Sequence, residues 1–425
     1  MTTILIKKIT DMPENSETVP TPKNPVYLSP TPGKITIAAF YPLVATSSPA
    51  AAICKDLKDC GFNSAIINVR DSADKIALTA CALYGIHPFF HDPRLTQSED
   101  ACKDLVSAYV SHDNDGNPVA PDTRLGGWML TDDATPADVR KGSSLANAIG
   151  WIREYDPFHP LFIGLTASAD FSTIAGITYR QYIEDFEYNL SPSLWPYRYF
   201  TYPDSTTAAA FPFANFYKGL ETLAFMARYT NVPIWSYVKT LTGMGGTPPT
   251  EAQMRLEAFS ALAYGAQCIA YWRYRPESDS EKGLVTSTGE KTDQWRYAQK
   301  INQEIATFNN VFAGCQLVEC RHTSTQPNGT CKLSMSFGPF RNINTKIAGV
   351  LVSHVLNNGN NFLVIVNHSA TASQEITINF SRHWRIFKVN GTTESEYEIT
   401  TDNPATVFPV AATLPAGGYL IYRWS

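Results

Sequence analysis

The feature that most constrains the fold is a regular alternation of strand-like and helix-like runs between residues 35 and 308. Short apolar runs, which are typical of buried strands, alternate with longer runs of helical periodicity, and the pair occurs eight times. Alternation predicts parallel strands joined by helices, and eight such units over roughly 250 residues predict closure of the sheet. The expected fold class is therefore α/β, a (β/α)8 TIM barrel.

The predicted strands are Ile35–Phe40, Asn63–Val69, Ile86–His91, Gly127–Thr131, Leu161–Leu165, Leu194–Phe200, Val232–Val238 and Cys268–Trp272. The predicted helices are Pro49–Cys60, Ala73–Tyr84, Glu99–Val110, Val139–Tyr155, Tyr179–Asn189, Phe216–Tyr229, Glu251–Tyr264 and Trp295–Phe308. Glycines that follow three of these helices, Gly61, Gly85 and Gly265, are the residues that commonly end a helix.

The composition of the chain changes on either side of this region. Residues 1–34 contain six prolines after residue 11, which predicts an extended lead-in. From Gln316 onward, short β-type runs separated by turns, among them the hairpin signal at residues 357–360, predict a small all-β sandwich. We place the barrel at residues 35–314 and the sandwich at residues 315–425. The sandwich is expected to be either a structural domain packed on the barrel or a carbohydrate-binding accessory module.

The predicted strands of the sandwich are Gln316–Cys320, Lys332–Phe337, Ala348–Leu356, Asn361–Asn367, Glu375–Phe380, Trp384–Val389, Glu396–Thr400 and Gly418–Arg423. Cys320 and Cys331 flank a turn-rich segment, so they are expected either to form a disulfide or to remain free thiols. The eight cysteines show no spacing typical of metal ligands, and we expect no metal or other cofactor.

The charge of the chain limits its partners. The formal net charge is −5 and no cluster of Lys and Arg is present, which argues against nucleic acid or an anionic membrane surface. A neutral ligand is expected, and no apolar run approaches the ~18 residues of a membrane span. Met1–Thr10 lacks the features of a signal peptide. A secreted or periplasmic location is nevertheless expected. The oligomeric state is left open.

Residues that follow the barrel strands should meet at one rim, where barrel enzymes carry their active sites. The candidate catalytic carboxylates are Asp133, Asp132, Asp204 and Glu277. The candidate substrate-binding residues are His91, Asp92, Trp128, Tyr199, Tyr202, Trp235, Tyr237, Lys239, Trp272, Arg273 and Arg275. The same rim should also receive Tyr41, Arg70, Asp71, Arg94, Asp170 and Tyr274. Carboxylates placed among Trp and Tyr side chains suit carbohydrate chemistry, because ring faces stack on sugars and acids bind hydroxyls or transfer protons.

Each of these residues also has a structural interpretation. Asp71, Asp92, Asp133 and Asp170 precede predicted helices, where Asp commonly caps the N-terminus. The tryptophans can fill the core, and Arg273 and Arg275 can neutralise neighbouring carboxylates. Because side chains alternate along a strand, at most one of Asp132 and Asp133 faces the barrel axis.

Several segments resemble one family. Gly127-Trp-Met-Leu-Thr-Asp-Asp133 resembles the fourth-strand motif of barrel glycoside hydrolases and hydrolase-like proteins common in gut Bacteroidetes. Asp156-Pro-Phe-His-Pro160, Tyr199-Phe-Thr-Tyr-Pro203, and Arg255 followed by Ala261-Leu-Ala-Tyr-Gly-Ala266 are similar to segments of that group, as is Leu414-Pro-Ala-Gly-Gly-Tyr-Leu420. The resemblance covers about residues 35–425 and implies a glycoside hydrolase-like barrel with a C-terminal β-sandwich, of the β-galactosidase-like retaining clan.

The resemblance also implies roles for two positions. In the family, a Glu after the fourth strand is the acid/base and a Glu after the seventh strand is the nucleophile. The first position corresponds to Asp133, with Asp132 before it, whereas residues 235–241 at the seventh strand contain no carboxylate. A retaining mechanism needs two carboxyls about 5 Å apart.

Three hypotheses follow from the sequence. The first is a glycosidase in which Asp133 or Asp132 is the acid and Asp204 or Glu277 the base, because an inverting pair is separated by about 6.5–9.5 Å. The second is a glycan-binding protein on a hydrolase scaffold. The third is a phosphate-binding barrel enzyme, based only on the glycine-rich segment 243–246 after the seventh strand.

Overall fold

A closed barrel of eight parallel strands forms the first part of the computed structural model. The structure describes residues 30–42, 50–69, 73–165, 178–190, 195–197, 213–230, 232–241, 247–278, 282–323, 327, 330–334, 336–381, 384–397 and 407–425. Its first ten strands are β1 (Thr36–Phe40), β2 (Ser64–Asn68), β3 (His87–His91), β4 (Val110–His112), β5 (Pro118–Pro121), β6 (Gly127–Ala134), β7 (Leu161–Leu165), β8 (Trp195–Tyr197), β9 (Ile234–Lys239) and β10 (Cys268–Trp272).

The barrel closes in the order β1-β10-β9-β8-β7-β6-β3-β2. The helices described by the structure are α1 (Ala50–Asp59), α2 (Asp74–Leu83), α3 (Arg94–Gln97), α4 (Glu99–Ser107), α5 (Ser144–Tyr155), α6 (Tyr179–Leu190), α7 (Phe213–Thr230), α8 (Glu251–Ala263), α9 (Asp293–Thr307) and α10 (Asn309–Phe312). Each of the eight predicted strand–helix units is present, so the prediction of a (β/α)8 barrel is confirmed.

A short hairpin, β4–β5, precedes the fourth barrel strand and was not predicted. Its strands are three and four residues long and largely exposed, so they show no apolar alternation. The signal that could have revealed it is the turn at Asp113, whose Oδ1 accepts hydrogen bonds from the backbone N–H groups of Asp115 and Asn117 at 3.0 and 2.8 Å.

Two cores lie on the two faces of the barrel strands. In β9, Trp235 and Tyr237 belong to the cluster inside the barrel, whereas Ile234 and Val238 belong to the cluster between the strands and the helices. This alternation is the period of two expected for a strand. It also fixes the direction of the later side chains in the same strand, so Lys239 points to the same side as Trp235 and Tyr237.

The C-terminal strands form two facing sheets, which confirms the predicted β-sandwich. They are β11 (Gln316–His322), β12 (Phe340–Thr345), β13 (Val350–Asn357), β14 (Asn360–Asn367), β15 (Gln374–Ser381), β16 (Ile386–Asn390), β17 (Thr393–Tyr397), β18 (Val407–Leu414) and β19 (Tyr419–Trp424). The larger sheet has the order β11-β13-β14-β19-β16-β17, and the smaller sheet has the order β12-β15-β18.

One predicted strand of the sandwich was wrong, and two strands were missed. The segment Lys332–Phe337 makes only isolated bridges at its two ends, and the strands β12 and β18 were not predicted. β18 contains Pro409, which lowers the strand signal but is tolerated there because β18 is at the edge of its sheet.

The larger sheet of the sandwich is buried on both faces. Val352 and Ile365 point into the sandwich core, whereas Leu351 and Val364 join the cluster that contains the barrel helices. The Ser353 hydroxyl donates to the carbonyl of Ala263, at the end of α8, at 2.6 Å. The sheet is therefore the layer that joins the two parts of the molecule.

The disulfide alternative for Cys320 and Cys331 is wrong, since both are free thiols. Cys320 is buried, whereas Cys331 is exposed, and the backbone carbonyl of Cys331 accepts a hydrogen bond from the N–H of His322. The chain therefore returns beside His322 and not beside Cys320. Within the described ranges, no helix is both long enough and apolar enough to cross a membrane.

Candidate functional site

Three aromatic side chains line the upper interior of the barrel at its C-terminal end. The ring centroids of Phe40 and Trp272 are 4.3 Å apart, those of Phe40 and Tyr237 are 5.4 Å apart, and those of Tyr237 and Trp272 are 5.7 Å apart. Tyr237 is 1% exposed and Trp272 is 6% exposed, so Trp272 forms the upper layer. These rings give the mouth of the barrel an apolar floor.

Tyr41 and His91 form a polar pair beside this floor. The Tyr41 hydroxyl lies 2.6 Å from His91 Nδ1, and the two rings are stacked at 6.0 Å with an interplanar angle of 9°. His91 points inward because Phe89, two residues earlier in β3, belongs to the interior cluster. A histidine–tyrosine pair can donate to and accept from sugar hydroxyls, and it can relay a proton.

The two adjacent carboxylates of β6 differ in their surroundings. Asp133 is exposed, whereas Asp132 is only partly exposed. The pairing of β6 with β7 is irregular between Met129 and Thr131 and again between Thr131 and Ala134. This irregularity places the backbone of Asp132 over Gly164, where an added Cβ would lie 2.0 Å from the Asp132 carbonyl oxygen.

Gly164 therefore allows the end of β6 to move toward the barrel axis. Phe162, two residues earlier in β7, is inside the barrel, so position 164 also faces the interior. Of the two predicted acids, Asp132 is consequently the one held against the barrel, and Asp133 is the one that faces solvent.

The loop after β10 supplies two arginines with different roles. The Arg273 guanidinium lies 5.0 Å from the Trp272 ring centroid and 5.7 Å from that of Tyr41, and it forms an ion pair with Glu277. The peptide bond between Trp272 and Arg273 is cis. Arg275 instead donates from Nε to the carbonyl of Ser287 at 2.8 Å, which ties two segments of the loop together.

Lys239 ends β9 and continues the inward series of Trp235 and Tyr237. It is 6% exposed, and its backbone N–H donates to Glu257 Oε2 of α8 at 2.8 Å. Lys239 is paired in register with Trp272 of the next strand. An ammonium group therefore occupies the inner end of the seventh barrel strand.

Three predicted binding residues lie away from the mouth. Trp128 is fully buried between the strands and the helices, where its Nε1 donates to Asp156 Oδ2 at 2.5 Å. Trp235 is 1% exposed and lies deeper in the barrel, below Tyr237. Asp92 is buried and accepts from Arg94 Nε at 3.0 Å and from Arg94 Nη2 at 2.6 Å. That hydrogen bond raises the pKa of Arg94.

The structure therefore brings together Tyr41, His91, Trp272 and Arg273, with Lys239 on the neighbouring strand. Asp132 lies on β6, across the barrel from β10, and Trp128, Trp235 and Asp92 have structural contacts. The candidates Asp204, Tyr199 and Tyr202, together with Arg70, Asp71 and Asp170, lie outside the described residues. Gly164 and Glu257 were not selected from the sequence. Both could have been noticed from their positions in the sequence. Gly164 lies in a barrel strand where an inward side chain is expected, and Glu257 is an acidic residue on a buried helix.

Comparisons with known proteins concern the fold. No family model matches the chain, and no curated protein matches it. Among solved structures, it is similar to a family 39 glycoside hydrolase from the gut symbiont Bacteroides cellulosilyticus WH2, with 10% identity, coverage of 93% of this chain and 82% of that one, and a TM-score of 0.49.

Two further structures are also similar. An α-L-arabinofuranosidase from Thermotoga maritima shares 9% identity over 92% of this chain and 96% of its own, with a TM-score of 0.49. An endo-β-1,4-mannanase from Thermotoga petrophila shares 10% identity over 90% and 97%, with a TM-score of 0.46.

Proposed function

We propose that this protein binds an oligo- or polysaccharide at the C-terminal mouth of its barrel and cleaves a glycosidic bond there. The observation that carries the proposal is the arrangement of Trp272 and Asp132 on opposite sides of the mouth. β10 and β6 are four strands apart in either direction around the barrel, so they face each other. A sugar ring stacked on the Trp272 side would present its substituents to the acids of β6.

The proposed reaction is hydrolysis with inversion. Asp132 or Asp133 protonates the oxygen of the leaving group, and a second carboxylate removes a proton from the attacking water. Glu277 is the candidate for this base, because it follows β10 across the mouth from β6; Asp204 is the second candidate. Carboxylates on opposite walls suit an inverting pair, whose separation of about 6.5–9.5 Å leaves room for water. The end of β9 presents Lys239, which does not suit a covalent nucleophile.

Glycan binding without cleavage is the second candidate function. It is favoured by one observation, the ion pair between Glu277 and Arg273, because the carboxylate that would have to contact the attacking water is already engaged by a guanidinium. In this case the aromatic floor and the Tyr41–His91 pair would recognise the sugar, and no bond would be broken.

The test combines sugar release with binding. Wild type and the variants Asp132→Asn, Asp133→Asn and Glu277→Gln are incubated with a panel of plant and host glycans, and released reducing ends are measured. Asp104→Asn, an exposed substitution on the outer helix α4, is the matched control. We expect release by the wild type and the control, and a loss of roughly 100-fold or more in the variant that lacks the acid.

The same samples are tested for thermal stabilisation by each glycan. Stabilisation without release in the wild type would support binding alone and reject hydrolysis. If no glycan either stabilises the wild type or is cleaved, the proposed function is wrong. If cleavage occurs, the anomeric form of the first product, followed by NMR, distinguishes inversion from retention.

A further inference from the structure

Two basic side chains occupy one wall of the mouth. Lys239 ends β9, and Arg273 follows β10, the neighbouring strand in the barrel. Lys239 is in register with Trp272, so its Cα lies about 4.8 Å from that of the residue preceding Arg273. Both side chains are largely buried, with Lys239 6% exposed and the Arg273 side chain 17% exposed. The cations are therefore part of the site and do not belong to the solvated surface.

Arg273 is held in place but is incompletely paired. Its guanidinium lies over the rings of Trp272 and Tyr41, and its Nη1 bonds to Glu277. Its Nε–H is buried, and no hydrogen-bond acceptor among the described residues reaches it. A buried donor without an acceptor is costly, so an acceptor that approaches this edge of the guanidinium is favoured. Carboxylate and sulfate oxygens suit the planar fork of Arg best.

The present counterion of Arg273 can be replaced. The Glu277 side chain is 73% exposed, and exposed ion pairs contribute little because water screens them. The acids of β6 lie on the opposite wall. The mouth is therefore polarised, with Asp132 and Asp133 on one side and Lys239 and Arg273, whose counterion is the exposed Glu277, on the other.

We propose that the glycan bound at this mouth carries an anionic substituent, a carboxylate or a sulfate ester, that binds between Lys239 and Arg273. This inference rests on the proposed function, because it assumes that the mouth is the glycan site. The glycosidic bond to be cleaved would lie toward Asp132. The anionic group would take the place of the Glu277 carboxylate beside Arg273.

The inference differs from the expectation of a neutral ligand drawn from the net charge. The value of −5 is summed over the whole chain, whereas affinity for a small anionic group depends on charges within a few ångströms of it. The positions of Lys239 and Arg273 make this wall of the mouth basic. They result from the inward direction of alternate side chains in β9 and from the turn after β10.

Matched pairs of ligands test the inference. Galacturonic acid oligomers are compared with their methyl esters, and sulfated galactan oligomers with their desulfated forms, by isothermal titration calorimetry against the full chain. We expect one anionic member to bind at least about 10-fold more tightly than its neutral partner, the size expected for a charge-assisted hydrogen bond. The two pairs distinguish a carboxylate ligand from a sulfate ligand.

Variants locate the effect at the proposed wall. Lys239→Met and Arg273→Met should each reduce the affinity for the anionic glycan by roughly 10-fold and leave the neutral one little changed. Glu277→Gln should leave anionic binding equal or tighter while it removes cleavage. Lys346→Met in the sandwich and Arg296→Met on α9 remove exposed charges elsewhere and serve as controls. Arg273→Lys keeps the charge but loses the planar guanidinium, and it is used in place of Arg273→Met if the Met variant does not fold.

The outcomes separate this inference from the proposed function. If neutral glycans bind or are cleaved as well as their anionic partners, the anionic substrate is rejected and the glycan site stands. If no glycan of either kind binds, the proposed function itself fails. If anionic glycans bind more tightly but Lys239→Met and Arg273→Met have no greater effect than the controls, the assignment to this wall is overturned.

Discussion

Asp156 is a buried carboxylate near the barrel wall with several hydrogen-bond donors around it. It accepts from Trp128 Nε1 at 2.5 Å, lies 2.7 Å from His159 Nδ1, and accepts from the backbone N–H groups of Phe158 and His159 at 3.1 Å. Burial alone would raise the pKa of Asp156, but the bonds from His159 and Trp128 outweigh it, and the pKa is lowered. The motif Asp156-Pro-Phe-His-Pro160 therefore anchors the Trp128 side chain on the helix-facing side of β6.

Replacing this carboxylate should destabilise the protein strongly. In Asp156→Ala, the donors of Trp128 and His159 remain buried without an acceptor, and we expect the free energy of unfolding to fall by about 3–5 kcal/mol. Urea denaturation monitored by tryptophan fluorescence measures the change. Arg124→Met, which breaks the more exposed pair with Asp122, is the control and should change the free energy by less than about 1 kcal/mol. Equal effects of the two substitutions would contradict the anchoring role.

At the level of elements, the close contact between β6 and β7 shapes the site. The bulge that brings Asp132 inward needs an empty position in β7, and Gly164 provides it. A glycine in the middle of a barrel strand is otherwise unfavourable, because it packs no side chain. The position of the acid therefore depends on two strands, although only one of them carries the carboxylate.

Gly164→Ala should displace the end of β6. The added Cβ would lie 2.0 Å from the Asp132 carbonyl oxygen, so the backbone must shift, at a cost of about 1–3 kcal/mol. Gly150→Ala is the matched control, because Gly150 lies within α5 with no atom within 4 Å of its Cβ position, and the variant should gain about 0.5–1 kcal/mol. Thermal unfolding and glycan binding are measured for both. Normal stability and binding in Gly164→Ala would contradict the role of this contact.

The sequence predicts the elements of the barrel well and its site only partly. Strand–helix alternation identifies every barrel strand because each is a short apolar run bounded by turns. The alternation does not reveal that Trp128 faces the helices whereas Trp272 faces the barrel interior. That difference depends on which alternate residues of each strand point toward the barrel axis. The bulge in β6 is also hidden, because it results from contacts between strands.

At the scale of the whole molecule, a buried polar network joins the barrel to the sandwich. The Tyr264 hydroxyl donates to Glu221 Oε2 at 2.9 Å and lies 2.8 Å from His322 Nε2. His322 Nδ1 lies 3.0 Å from His368 Nε2, and the ring of Tyr217 packs against both histidines. A hydrogen bond between two imidazoles requires that one nitrogen donate and the other accept, so the contact is lost when both rings are protonated.

This network predicts a loss of stability in acid. Burial lowers the pKa of His368 from 6.5 to about 3 and also lowers the pKa of His322. Below pH 6.5 the unfolded chain therefore binds a proton that the folded chain takes up only near pH 3. The free energy of unfolding consequently falls as the pH falls, by up to about 1.4 kcal/mol per pH unit for each histidine.

The test compares wild type with His368→Gln at pH 7 and pH 4.5. At pH 7 the free energy of unfolding of the variant should be lower than that of the wild type, because the variant loses a buried contact. At pH 4.5 this difference in free energy should be smaller by roughly 2 kcal/mol, because the wild type is destabilised by keeping His368 neutral. Glu221, whose pKa is raised by burial, contributes with the opposite sign in both proteins, so the change of the difference with pH reports on the contacting pair of His322 and His368. His112→Gln, an exposed substitution in β4 outside this network, is the matched control. A constant difference for His368→Gln would mean that the interface does not hold this histidine neutral.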